Sequence, residues 1–309
     1  MRYLFGPVPS RRMGSSLGID LLDRKICNFN CIYCEVAKTE IKTIKRDTYV
    51  PVKDVLDEIK EYLVSNFKEK PDFITFSGSG EPTLHSELGT IIDEIKKITD
   101  IPVAVITNSG TITDPSVFND LLKADLVMPS LDAISKDIIL KINKVNKEFC
   151  VEKTIEELSR FSKEFKGEMW LEILALKDVN DSDEEFKLLK EAVDKINPTI
   201  VQVHTVSRPS MAGKVTKVDE KRLKELSEII GEKAMVVKKF SSFPNKRSNI
   251  TTSKLLESLL KVRACSFNEI LSATGASKKD LELLIEKGIK ERRLLDFDFD
   301  GIKHFKLMS

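Results

Sequence analysis

The stretch PDFITFSGSGEPTLHSELGTIIDEIKKITDIPVAVITNSG (residues 71–110) decides the fold. Its first segment, DFITFSG (72–78), is a short apolar run that ends in glycine. SELGTIIDEIKKIT (86–99) then spaces its apolar residues at helical period with polar residues between, and PVAVITN (102–108) is a second apolar run. Neither apolar run alternates with polar residues as a half-exposed strand would. Strand, helix, strand of this kind is a βαβ unit whose strands are covered on both faces.

The same rhythm extends outward. Further strands are predicted at SLGIDLL (16–22), DLVMPSL (125–131), MWLEILAL (169–176) and TIVQVHTV (199–206). Amphipathic segments at 51–67, 115–122, 151–165, 182–196 and 219–231 separate or follow them. Six such units over residues 1–240 fit an open, partial (β/α)6 barrel of TIM type better than a closed eight-unit one. In such folds chemistry gathers past the C-terminal ends of the strands.

The pattern changes near residue 240. A polar linker (241–252) leads to SKLLESLLKV (253–262), SFNEILSATG (266–275) and SKKDLELLIEKG (277–288). Ser266 with Glu269 reads as a capping box, and Ser277 as an N-cap with Asp280 at its third helical position. RRLLDFDFDGIKHFKLM (292–308) alternates about Asp300-Gly301, a hairpin signal. Three helices and a hairpin over 253–309 predict a small winged-helix-like domain.

Composition narrows the class. With 309 residues, 41% hydrophobic and 32% charged, the chain reads as a soluble globular protein able to bury a core. A net charge of +1 supplies no global field for nucleic acid. No apolar run approaches the roughly 18 residues of a membrane span, and MRYLFGPVPS is too short and too broken by proline for a signal peptide. The cysteines number five, an odd count, and three crowd into KICNFNCIYCE (25–35). That is no disulfide framework, so a cytoplasmic location with reduced thiols is expected.

Cys27, Cys31 and Cys34 form the chemical centre of the sequence. A structural zinc site wants a fourth Cys or His at short spacing, and His85, His204 and His304 are far off in sequence. A [4Fe–4S] cluster on three cysteines leaves one iron open for an outside ligand.

On these residues the chain resembles the radical S-adenosylmethionine superfamily, whose signature C-x3-C-x2-C carries an aromatic before the last cysteine, here Tyr33. Gly78-Ser79-Gly80-Glu81-Pro82 after the second strand is similar to the superfamily's Gly-Gly-Glu-Pro element. The resemblance implies one three-cysteine [4Fe–4S] cluster and S-adenosylmethionine (SAM) as cofactors, anaerobic handling, and an external one-electron donor of flavodoxin or ferredoxin type. It implies reductive cleavage of SAM to a 5′-deoxyadenosyl radical that takes a hydrogen from the substrate. Glu81 would accept from the methionine ammonium, with glycines letting backbone approach the ligand. Asn108, Ser130 and Asp132 would reach the nucleoside, although turn chemistry explains them equally. Glu172 and His204 join the cofactor-binding set, Glu172 facing either the barrel mouth or a buried ion pair.

Lys177 and Arg208, also at strand ends, and His85, just past the glycine turn, are candidate substrate contacts. Arg11 and Arg12 in PSRRMG either bind a phosphate or carboxylate or brace the barrel through ion pairs. Cys150, Cys265, Trp170 and Met211 read as packing. The N-terminal 240 residues further resemble the wyosine-base synthase group, which modifies tRNA. No cysteine precedes Cys27, so the second cluster of those enzymes is not expected, and a sibling with another substrate is. A nucleoside in RNA leads, ahead of a protein side chain or a small metabolite. A different class is an iron–sulfur sensing transcription regulator, but the acidic third helix suits DNA poorly.

Overall fold

The structure, a computed structural model, describes residues 1–65, 70–237 and 251–308. The first half contains β1 (Leu4–Ser10), β2 (Gly14–Ile19), β3 (Ile26–Cys27), β4 (Ile41–Lys42), α1 (Val52–Ser65), β5 (Phe73–Phe76), α2 (Leu88–Ile98), β6 (Val103–Thr107), α3 (Pro115–Leu121), β7 (Leu126–Pro129) and α4 (Lys136–Ile142). Then follow α5 (Val151–Glu164), β8 (Glu168–Ala175), α6 (Asp183–Ile196), β9 (Ile200–Thr205), α7 (Glu220–Ile230) and β10 (Ala234–Val236). The C-terminal part holds α8 (Thr252–Val262), β11 (Cys265–Ser266), α9 (Phe267–Thr274), α10 (Lys278–Lys290), β12 (Leu294–Phe299) and β13 (Ile302–Leu307).

One eight-stranded sheet runs β1-β2-β5-β6-β7-β8-β9-β10. All six expected strands are in it and pair in parallel. Two edge strands were not expected. β1 lies antiparallel on β2; its two prolines obscure the strand pattern yet are tolerated at a sheet edge. β10 is three residues long and too short to show periodicity.

Strand alternation sorts the side chains between layers. In β8, Met169, Leu171 and Ile173 enter the main core beneath the helices, while Trp170 packs on the inner side with Met13, Ala104, Leu126 and Met128. Helix α6 shows how the outer layer closes. Ser182 caps it by accepting from Glu185 N, and Phe186, Leu189, Val193 and Ile196 make its buried stripe. Each such side chain contributes about 1.5–3 kcal/mol by leaving water.

The C-terminal module has its own core of Leu256, Leu260, Cys265, Ile270, Leu281, Ile285, Leu294 and Phe305. A three-stranded sheet, β11-β13-β12, backs the three helices. Ser266 and Glu269 form the reciprocal capping box, and Ser277 accepts from Asp280 N. Asp300 and Gly301 take φ of 56° and 73°, as a two-residue hairpin turn requires. The module sits against β1, with Leu259, Val262 and Ala273 packed on Phe5 and Val8. The expected linker lies, up to residue 250, outside the described residues. No described helix is long and apolar enough to cross a membrane.

Candidate active site

The cysteine loop leaves the C-terminal end of β2 and is seated by the glycine turn after β5. A Cβ on Gly80 would stand 1.8 Å from Ile26 O, and Glu81 N donates to the same carbonyl at 3.1 Å. A Cβ on Gly78, whose φ is +133°, would meet Asp20 at 2.6 Å. Asp20 instead accepts from Ser79 N at 3.1 Å and from the Ser79 hydroxyl. The glycines therefore admit the chain's own cysteine strand and Asp20. Gly80→Ala is expected to push the loop off its seat, costing roughly 3 kcal/mol, the upper end of over-packing. Its thermal midpoint and its iron content after reconstitution should both fall.

The three thiols share one neighbourhood. Lys25 is buried; burial would lower its pKa, but Cys34, Cys27 and Cys31 around it outweigh that and raise it. Asn108 Nδ2 points at Cys27 Sγ at 3.4 Å, and Phe29 N donates to that sulfur at 3.4 Å. Asn143 Nδ2 points at Cys31 Sγ at 3.5 Å. Burial pushes the Cys27 thiol up to about 11 and Cys31 higher still. Among the described residues no three His, Cys, Asp or Glu side chains converge as the shell of one metal ion. A cubane takes one thiolate per iron and asks for a wider triangle than a single zinc does. Three sulfurs, N–H donors aimed at them and a buried ammonium suit its net negative charge.

Two buried carboxylates hold this arrangement. Glu81, 2% exposed, accepts from Thr83 Oγ1 at 2.6 Å, Thr107 Oγ1 at 2.7 Å and Asn108 N at 2.8 Å. It fixes Asn108 toward Cys27, and burial raises its pKa against those donors. Asp132 accepts from Tyr33 OH at 2.5 Å, Asn143 Nδ2 at 2.7 Å and Leu174 N at 3.0 Å. It thereby ties the tyrosine of the cysteine motif to the amide facing Cys31. Tyr33, Asn108, Ser130 and Asp132 do line one common pocket, with Phe29, Asn143 and Phe149. Its volume of about 10 Å³ is water-sized, so it must open to take a nucleoside.

Other candidates fall elsewhere. Arg12 reaches inside the barrel and pairs with Glu172, which resolves Glu172 as a buried ion-pair partner and Arg12 as its brace. His204 Nε2 stands 4.0 Å from Glu172. Burial, with Arg12 and Arg11 nearby, holds its pKa down to about 3, so the ring is neutral. His85 is fully buried, its ring between Val50 O at 3.0 Å and Glu87 N at 3.2 Å, which makes it part of the scaffold. Lys177 is exposed, its backbone N–H bonded to Thr216 O. Arg208 is also no free substrate contact. It is 6% exposed and locked between Glu35 Oε2 at 3.1 Å and Glu269 Oε1, which its Nε meets at 2.9 Å.

Burial alone would raise the Glu269 pKa, but Arg208 and Arg263 pull it from 4.5 to about 2. A carboxylate depressed on folding stabilises fully above its unfolded value and loses that contribution as pH falls toward the folded one. The contact is thus expected to lose on the order of 3 kcal/mol between pH 4.5 and about 2. Limited proteolysis with an acid-stable protease should show module release from the wild type accelerating across that window toward the rate of Glu269→Gln, whose contact no longer titrates there.

A larger cleft, about 930 Å³, opens between the ends of β9 and β10 and the C-terminal module. Arg11, Thr205, Leu223 and Val236 are among its barrel-side lining, and Phe299 and His304 among the module's. Asn28, Asn143, Asp20 and Lys25 are site residues that strand-end reasoning missed. Adjacency to the cysteines or to a strand end hinted at Asn28, Lys25 and Asp20, and nothing in the sequence marked Asn143, the C-cap of α4.

Comparison with known proteins agrees with this geometry. The Radical SAM superfamily matches residues 24–189, from just before the cysteine loop into α6. UPF0026 protein MJ1312 of Methanocaldococcus jannaschii is 32% identical over 312 residues, covering 97% of this chain and 94% of that protein. A Brachyspira hyodysenteriae protein named GTPase Obg is 38% identical over 297 residues, 93% of this chain, but the chain spans only 43% of it. The probable dual-specificity RNA methyltransferase RlmN of Malacoplasma penetrans is 27% identical over 183 residues, 55% of this chain and 51% of that one. Among solved structures, TYW1 with a lysine-pyruvate adduct bound superposes with a TM-score of 0.55 at 20% identity, over 74% of this chain and 76% of the other. At that identity the likeness concerns the fold. With the family match spanning the cysteine loop and the full-length relative beside it, the chain belongs to the radical SAM superfamily, among its UPF0026 proteins.

Proposed function

We propose that this radical SAM enzyme modifies a nucleoside within RNA. The observation that carries the reading is the cleft of about 930 Å³ at the barrel's strand ends, a volume within the range of pockets that engulf small organic groups. Its walls combine apolar side chains (Leu223, Val236, Phe299) with the cations Arg11, Lys217 and Lys224, beside the carboxylates of Asp219, Glu220, Glu269 and Asp300. A base can bury against the first while a backbone phosphate meets the second. Deeper in the barrel, Gln202 Oε1 is buried without a donor among the described residues, an acceptor for an N–H or O–H of the substrate. Likeness to a named RNA methyltransferase supports the same substrate class.

When bound, the cluster and SAM supply one-electron cleavage of the sulfonium, which lets a hydrogen atom be removed from carbon. The chain's own residues position and insulate. Cys27, Cys31 and Cys34 would hold the cluster, with Asn108 and Asn143 donating toward the first two sulfurs. Tyr33, Ser130 and Asp132 would border the nucleoside of SAM once the pocket opens. Arg12 and Glu172 neutralise one another and keep the lumen rigid.

The test is turnover with the reconstituted, reduced protein and bulk tRNA. 5′-Deoxyadenosine formation should rise severalfold over the RNA-free rate, and nuclease digests should gain a nucleoside of altered mass. Stimulation by a small-metabolite extract or a peptide pool, with RNA inert, would overturn the reading.

A further inference from the structure

The residues after Cys34 are held from an unexpected side. Glu35 meets Arg208 NH1 at 3.1 Å, and the same guanidinium reaches Glu269 on α9 through Nε at 2.9 Å and through NH2. Glu269 is itself fixed, since its other oxygen accepts from Ser266 N at 2.9 Å in the capping box. A second tether comes from β13, where Lys306 Nζ donates to Val36 O at 3.0 Å. The segment after Arg208 adds two more, Ser210 Oγ to Ile32 O at 2.7 Å and Met211 N to Cys34 O at 2.9 Å. Cys27 and Cys31 are approached by amides from the barrel, Asn108 and Asn143. The chain around and beyond Cys34 is instead clamped by the segment after β9, which the module backs through Glu269, and by the module's Lys306 directly.

We propose that the C-terminal module is a built-in brace for the cysteine loop, with Arg208 a positioning residue that holds Cys34 in ligating geometry through Glu35. Arginine suits the task because its planar fork serves two carboxylates at once, which a lysine ammonium does less well. A ligand held in place loses its metal more slowly than one free to swing out, because support from the surrounding residues preorganises the site. The module is then no independently swinging docking domain, and deleting it would damage the cluster site whatever the substrate.

The experiment uses the full chain, reconstituted without oxygen, in Glu269→Gln and Arg208→Lys forms. Iron loss to a ferrous chelator is followed beside the barrel's unfolding midpoint, read by the fluorescence of Trp170. The brace predicts iron loss several-fold faster in Glu269→Gln and a smaller increase in Arg208→Lys, each measured well below the variant's own Trp170 midpoint, so that the loss is not global unfolding. Lys306→Met, which removes the separate tether to Val36, should also lose iron faster and keeps the test open if either first variant fails to fold. Wild-type iron retention in the variants that fold, whatever their stability, would overturn the proposal. None of these readouts involves the substrate, so they stand or fall apart from the RNA reading.

Discussion

Replacing Cys31 by alanine is expected to abolish cluster assembly and all formation of 5′-deoxyadenosine while leaving the fold intact. The thiol lies on a loop beyond β3 and its polar neighbours are the Asn143 amide and the Tyr33 hydroxyl, both of which keep Asp132 as a partner, at 2.7 and 2.5 Å. Removing the sulfur therefore strands no buried group, and stability should move by about 1 kcal/mol or less. Two cysteines cannot retain three irons of a cubane against exchange, so iron content should drop to background. Product at the wild-type level from Cys31→Ala would remove the three-cysteine site from the chemistry.

The second large effect is on stability. Arg12 and Glu172 pair inside the barrel, where Glu172 is 5% exposed. Arg12→Met leaves the carboxylate without its cation, and breaking a buried pair costs roughly 3–5 kcal/mol. Adding Glu172→Gln removes the stranded charge and should recover most of the loss, since neutral replacement of a buried pair is often nearly cost-free. Chemical denaturation of the single and double variants measures this directly. A loss below about 1 kcal/mol in Arg12→Met would put the pair in the solvent-screened class.

The βαβ rhythm was legible because strands covered on both faces carry unbroken apolar runs, and six of them announced a parallel sheet. β1 was not legible, because Pro7 and Pro9 interrupt its pattern and only an edge position accommodates them. The three cysteines and the strand-end polar residues stood out by type and spacing. Their roles did not, because a role depends on which partner arrives from elsewhere in the chain. Glu81 is engaged by Thr83, Thr107 and Asn108, and Arg208 by carboxylates 173 and 61 positions away. Asn143, on the C-terminal edge of α4, carries no motif at all; it matters because the fold sets it against Cys31. Local spacing revealed the ligands of the site, and tertiary contact revealed what holds them.

The central claim is that three thiols near Lys25 carry an iron–sulfur cluster with one iron open to SAM. Electron paramagnetic resonance of the anaerobically prepared, dithionite-reduced protein, with and without SAM, tests it most directly. The account predicts about four irons per chain and a signal whose shape changes when SAM is added. Zinc in place of iron, or a cluster signal that SAM leaves unmoved, would contradict it.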